Sequence, residues 1–229
     1  MKLVKTKEIV TTPLLLGIIF SVLISNGINN QQVIAQQQQQ QLSPEEIQNE
    51  ILKGNLKIKS TNNDTTTTES SVQSLGGFLA YESPVSGIRT QYPDGWEILI
   101  QSTSNSSLSL RFYSPPENDT DTYRENVILE INTISNNTAL SNFTGAALAS
   151  YLESFSDFEL IELTSTNLAN NTIPAYKLVG SRTQEGLDFM QIVAMKEDNV
   201  YVILYSSEKT RYSTYLPIIE KMIDSFEVT

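Results

Sequence analysis

Hard oxygen donors crowd one short stretch, Glu117-Asn118-Asp119-Thr120-Asp121, and calcium is the cation that such a set suits. As an EF-hand loop the stretch fails. Counted from Asp119, the fifth position is Tyr123 and the sixth Arg124, where an oxygen donor and a glycine belong. It reads as a solvated loop, with a loose surface calcium site as the chemical alternative and no metal ligand assigned. Three more acids, Glu97, Glu130 and Glu162, lie in strand-like segments. A facing pair would suit acid–base hydrolysis across a gap of about 5–9 Å. Alternation sets Glu130 opposite Leu129 and Ile131, so all three are expected to face solvent, and no catalytic residue is assigned. Tyr92, Trp96, Tyr201, Tyr205, Tyr212 and Tyr215 offer either the lining of a small-ligand groove or the filling of a sheet–helix interface, the commoner use.

Other chemistries are excluded by residue type. The 229 residues include no histidine and no cysteine. Ser-His-Asp and Cys-His nucleophiles, thiolate redox chemistry, and zinc, haem or copper sites that need nitrogen or sulfur ligands all fall away. Disulfides fall away too, so the fold stands on its own core. Beyond Ala35, removing three lysines and one glutamate from totals of 15 and 26 leaves a formal charge of −13. Such a surface repels phosphate backbones, so nucleic acid is not an expected partner. Six N-x-[ST] sequons occur, at Asn63, Asn105, Asn118, Asn136, Asn142 and Asn170, all in segments read as loop or linker, where N-glycosylation takes place.

Residues 1–35 have the layout of an export signal. Lys2, Lys5 and Lys7 precede the apolar run Leu14–Ile24, and Val33-Ile34-Ala35 offers small residues ahead of six glutamines. Cleavage between Ala35 and Gln36 is expected, with an uncleaved signal-anchor as the alternative, since no charge interrupts Ile9–Ile28. Membrane contact is expected only through this segment, and the remainder is expected outside the cytoplasm, secreted or held at the outer face of the membrane. Residues 36–74 read as a spacer that contains one short helix. Ser43 caps it, Pro44 begins it, Glu46 completes a capping box, and Gly54 stops it after Lys53. Its stripe of Ile47, Ile51 and Leu52 is narrow, so the helix docks on something or frays. Ser60–Ser74 holds one apolar residue and reads as linker.

Residues 75–229 form the expected domain, large enough for a core without staples. Leu108, Leu110 and Phe112, then Val127, Leu129 and Ile131, alternate as strands do. Pro93-Asp94-Gly95 turns a strand ending at Tyr92 into one starting at Trp96, whose ring is expected to be buried in phase with Ile98 and Ile100. Segments 176–182, 188–196 and 200–206 read as a three-stranded meander. One helix is expected over Gly145–Asp157, with Leu148, Leu152 and Phe155 inward. A second is expected over Tyr215–Phe226, with Pro217 near its start. Hairpins with few, late helices argue for an α+β fold built on an antiparallel sheet covered by helices.

Tyr81, Gly87-Ile88-Arg89, Tyr92-Pro93, Gly95-Trp96, Phe112-x-Ser114-Pro115, Asn126–Ile131, Ile173-Pro174-Ala175-Tyr176 and Ser225-Phe226 follow one another in an order that resembles the PsbP family, the extrinsic proteins of photosystem II and their relatives outside photosynthesis. The resemblance runs from about Gly77 to Val228. It implies an α/β/α sandwich around a central antiparallel sheet, usually exported, with an assembly or accessory role at a membrane complex. Plant-type members are associated with calcium and manganese, but a histidine-containing metal site has no counterpart here. The expected function is a non-catalytic exported module that binds a protein partner at the cell surface. A small-ligand or calcium-binding accessory protein is the alternative, and a carboxylate hydrolase stands behind both.

Overall fold

A computed structural model of the chain describes residues 77–103, 107–134 and 139–228. The expected signal, the helix over Ser43–Lys53, the linker, and the sequons at Asn63, Asn105 and Asn136 lie outside the described residues. Two antiparallel sheets carry the fold. The small one has the order β1-β2-β10, from β1 (Phe78–Ser83), β2 (Ile88–Pro93) and β10 (Glu227–Val228). The large one comprises β3 (Glu97–Thr103), β4 (Ser107–Tyr113), β5 (Asn126–Thr133), β6 (Phe158–Leu168), β7 (Ile173–Arg182), β8 (Leu187–Lys196) and β9 (Asn199–Glu208), in the order β3-β4-β5-β9-β8-β7-β6. The meander β7-β8-β9 is present as the sequence indicates. The turn at Pro93-Asp94-Gly95 is also present, with Trp96 N–H donating to the Pro93 carbonyl at 3.1 Å. It joins the two sheets, however, so β2 and β3 do not pair as a hairpin.

Helices cover the large sheet on both faces, giving the α/β/α sandwich. α1 (Leu140–Ser154) lies on one face, where Leu148 and Tyr151 pack on Ile128, Leu178, Phe189 and Leu204. It begins five residues before the expected start, and its buried line is Phe143, Thr144, Ala147, Leu148 and Tyr151. Leu152, expected inward, is 40% exposed. Tyr151 takes the core-facing place, and the next residue lies about 100° further round the helix.

α2 (Tyr212–Asp224) and the small sheet cover the other face, where Tyr215, Ile219, Met222, Phe226 and Ile88 join Leu110, Phe112, Leu129, Tyr201, Ile203 and Tyr205. This helix starts three residues earlier than expected, so Pro217 stands inside it. The carbonyl that Pro217 leaves without a helical donor belongs to Ser213, which is exposed, so the lost bond is not a buried one. Ser225 fastens the end of α2 to β2. Its Oγ donates to the Met222 carbonyl at 2.6 Å and accepts from Gln91 N–H at 2.8 Å. Trp96 is buried as expected, 6.2 Å from the Tyr215 ring between centroids. Ile100, expected to be buried in phase with it, is 57% exposed, because β3 is an edge strand and the covering layer stops short of it.

Candidate functional site

One end of the large sheet gathers most of the charged chemistry. The β4–β5 loop, the β7–β8 turn and the β9–α2 connection meet there, beside the start of β6 and the end of α1. Glu117 pairs with Arg211 across 94 residues of sequence. Arg124 donates from Nη1 to Glu97 at 2.7 Å and from Nε to the Ser114 carbonyl, and lies 5.4 Å from the Tyr113 ring centre. Arg182 binds Asp157 at 2.7 Å and Glu185 at 2.7 Å, with its guanidinium 3.8 Å from the Phe155 ring centre. Burial pushes the Asp157 carboxyl upward. The Arg182 hydrogen bond, the Gln184 N–H at 3.1 Å and the Arg182 charge outweigh that and hold it below the ordinary carboxylate value.

Behind these pairs sits a carboxylate of a different kind. Glu125 is 1% exposed and accepts from two hydroxyls, Ser114 Oγ at 3.2 Å and Ser207 Oγ at 3.5 Å. Burial raises its pKa above that of an ordinary glutamate, more than the backbone and Ser114 bonds lower it. Next to it, the Tyr123 hydroxyl shares a 2.6 Å hydrogen bond with Ser206 Oγ, and burial pushes Tyr123 up to about 12. Glu125 was not among the acids singled out from the sequence. Its only signal there was its place at the edge of the apolar run Val127–Leu129.

The predicted sites are dispersed. Asp121 accepts backbone N–H bonds from Glu117 and Tyr123, both at 2.9 Å, so its carboxylate organises its own loop. Glu117 is taken by Arg211, and no group of three metal-binding side chains exists among the described residues. Glu97 and Glu162 sit on opposite edge strands, six strand spacings or roughly 29 Å apart, and Glu162 pairs with Lys177 at 2.8 Å. Glu130 corrects the expectation of a solvent-facing acid. It is buried on the α1 face, because both faces of the sheet are covered and alternation selects between two interiors. Tyr151 ionises only far above its ordinary value, first through burial and then through the Glu130 charge. The aromatics fill the α2 interface. Tyr205 stacks on Tyr212 at 5.0 Å, and Tyr201 meets Phe226 edge-on at 5.9 Å.

Among the described sequons, Asn118 is exposed in the β4–β5 loop, and its Oδ1 accepts from Thr120 N–H at 2.9 Å and Thr120 Oγ1 at 2.5 Å. Asn170 is exposed in the β6–β7 turn, within three successive left-handed residues, Ala169, Asn170 and Asn171. Asn142, expected in a loop, is exposed in the first turn of α1. Among the described residues, clefts open at opposite ends of the α1 side. A cavity of about 270 Å³ includes Asp157, Phe158, Thr183 and Gln184, and one of about 480 Å³ includes Leu140, Ser165, Asn167 and Tyr176.

A family model of PsbP-like proteins matches residues 17–228. The chain belongs to the PsbP-like family. The solution structure of cyanobacterial PsbP from Synechocystis sp. shares the fold at 16% identity, covering 72% of this chain and 99% of that one, with a TM-score of 0.51. LpqN of Mycobacterium tuberculosis, involved in cell envelope biogenesis, aligns at 15% identity over 67% of this chain and 91% of its own, with a TM-score of 0.45. The Ran-binding protein Mog1p of Saccharomyces cerevisiae aligns at 11% identity over 66% and 95%, with a TM-score of 0.44. No curated protein matches the chain in sequence.

Proposed function

We propose that this PsbP-like chain is an exported, non-catalytic accessory module whose partner is a protein at the outer face of the membrane, met through the charged end of the large sheet. One observation carries the reading. Three loops converge there and present part-exposed Arg–carboxylate pairs, Arg124–Glu97 and Arg211–Glu117, that are able to exchange partners. The acids proposed for hydrolysis are separated or buried, which favours binding over chemistry. The export layout of residues 1–35 supports the location, with cleavage between Ala35 and Gln36 and glycans at exposed Asn118 and Asn170.

Affinity capture from the native membrane fraction tests the reading with two charge reversals. A double Arg124→Glu, Arg211→Glu chain is expected to lose the partner that wild type retains. Lys196→Glu, at the opposite end of the sheet, is expected to keep it. Equal capture by both variants removes the charged end as the contact. Turnover of an ester, glycoside or peptide panel by the purified chain overturns the non-catalytic half. Sequencing of the mature N-terminus is expected to read from Gln36, and recovery of Met1 or Lys2 establishes the anchor instead.

A further inference from the structure

α1 crosses its face of the large sheet on a diagonal. Its first half, with Leu140, Phe143 and Ala147, packs on Val193 and Met195 of β8 and on Val200 and Val202 of β9. Its second half, with Leu148 and Tyr151, packs on Phe158, Leu160 and Leu163 of β6 and on Leu178 of β7. The corner beside its first turn, where β6 ends and β7 begins, is left open. Side chains alternate along a strand, and residues paired across an antiparallel ladder share a face. Leu163 and Leu178 are paired under α1, so Ser165 with Tyr176, then Asn167 with Pro174, follow on the same face. These four line the cavity of about 480 Å³, with Leu140 and Ser141 of α1 as its other wall. That size lies within the range of about 300–1,000 Å³ in which small molecules are held.

We propose that this corner binds a short neutral saccharide, at a site separate from the charged end of the sheet. The lining specifies the chemistry. It contains no charged side chain, and alternation turns neighbouring Lys177 to the other face, where its Nζ holds Glu162 at 2.8 Å. Phosphates, carboxylates and amines therefore meet no counter-ion here. Among the described residues the side chains of Ser141, Ser165, Asn167 and Tyr176 make no hydrogen bond, so three hydroxyls and a carboxamide are available. Each of these groups both donates and accepts, as the adjacent hydroxyls of a sugar do. Tyr176 is half-buried against the α1 cluster, which fixes its ring, and with Pro174 it offers apolar surface to the C–H face of a pyranose. The corner is also held in shape before any ligand arrives. In the turn between Asn167 and Pro174, Thr172 N–H donates to the Leu168 carbonyl at 3.1 Å and Thr172 Oγ1 to the Ala169 carbonyl at 2.6 Å. A pre-set platform lowers the ordering cost of binding.

The purified chain is titrated with the neutral disaccharides maltose, cellobiose, lactose and diacetylchitobiose, and backbone amide chemical shifts are followed. At least one sugar is expected to bind saturably, with a dissociation constant on the order of 1 mM, and to move the amides of Asn167 and Tyr176 most. A double Ser165→Ala, Asn167→Ala chain should bind it roughly tenfold more weakly, as loss of hydrogen bonds to a ligand implies. Both positions are exposed, so its melting midpoint should match that of wild type. Tyr176→Phe, which keeps the ring, should weaken binding less than the double change. Gln184→Ala, in the cleft at the other end of the sheet, should leave it unchanged. No saturable shift with any of these sugars, shifts centred elsewhere, or equal binding by the double variant overturns the proposal. Tighter binding of glucose 6-phosphate than of the neutral sugars overturns the ligand class. None of these results bears on partner capture through Arg124 and Arg211, so the two readings fail separately.

Discussion

Gly180 on β7 is the position where the fold reverses a local expectation. In a strand, glycine is entropically costly, so Gly180→Ala read locally is a stabilising change of about 0.4–1 kcal/mol. In the folded protein a Cβ at this site lies 2.7 Å from Phe158 Cε2, 2.7 Å from Phe189 Cζ and 3.2 Å from Phe158 Cζ. Carbon atoms pack at roughly 3.5–4.0 Å, so two rings must each retreat by about 1 Å. Neither has room. Phe158 and Phe189 are 5.6 Å apart between centroids, and Tyr151 lies 5.6 Å from the first and 5.5 Å from the second, under α1. Overpacking of this kind costs about 1–3 kcal/mol, which outweighs the backbone gain and leaves a net loss near 1–2 kcal/mol. For a domain of this size the melting midpoint should fall by roughly 2–8 °C. Urea unfolding should show a lower midpoint with an unchanged slope. Adding Phe189→Leu should recover part of the loss, since the double variant has room for the methyl group. A Gly180→Ala chain that melts at or above wild type refutes the aromatic clamp.

Trp96→Ala should cost about 3–5 kcal/mol in denaturant unfolding, because it empties a large core site beneath Tyr215. Truncation before Tyr212 should yield aggregating or unfolded protein by size-exclusion chromatography, since it uncovers Ile203, Tyr205 and Phe112; a monomer with an unchanged midpoint would make α2 a detachable element. Glu125 binds its proton more tightly when folded than unfolded. Its contribution is therefore fully present below the ordinary value of 4.5 and lost as pH rises through the raised folded value, so Glu125→Gln should flatten stability over that window. Asp157 behaves oppositely: its contribution is present above 3.8 and lost as pH falls through the depressed folded value. Asp157→Asn should therefore remove that acid-side slope in pH-dependent melting curves, and Asp157→Ala should cost about 1.5–3 kcal/mol, because it removes a charged hydrogen bond and leaves buried Arg182 with Glu185 alone.

Short-range pattern alone determined a good deal here. The strands of the meander follow from alternation and turn residues at 184–186 and 198–199, and the stripe of α2 follows from the helical period, because both depend on neighbours within a turn or two of chain. The missing histidine and cysteine exclude their chemistries whatever the fold, and the layout of residues 1–35 needs no tertiary structure to be read. Residue order also carried the family, through the succession of short motifs from Tyr81 to Ser225-Phe226. Tertiary structure decided the rest. Whether β2 and β3 pair, which of two covered faces receives Glu130, and why Leu152 and Ile100 stand outside are settled by what packs from elsewhere. The candidate site is the extreme case. Its ion pairs join Glu117 to Arg211 and Glu97 to Arg124, and Glu125 meets Ser207 of β9, 82 residues later. Periodicity reports which residues share a face. It holds no information on which loops meet at the end of a sheet, because strand order is fixed only when the whole core closes.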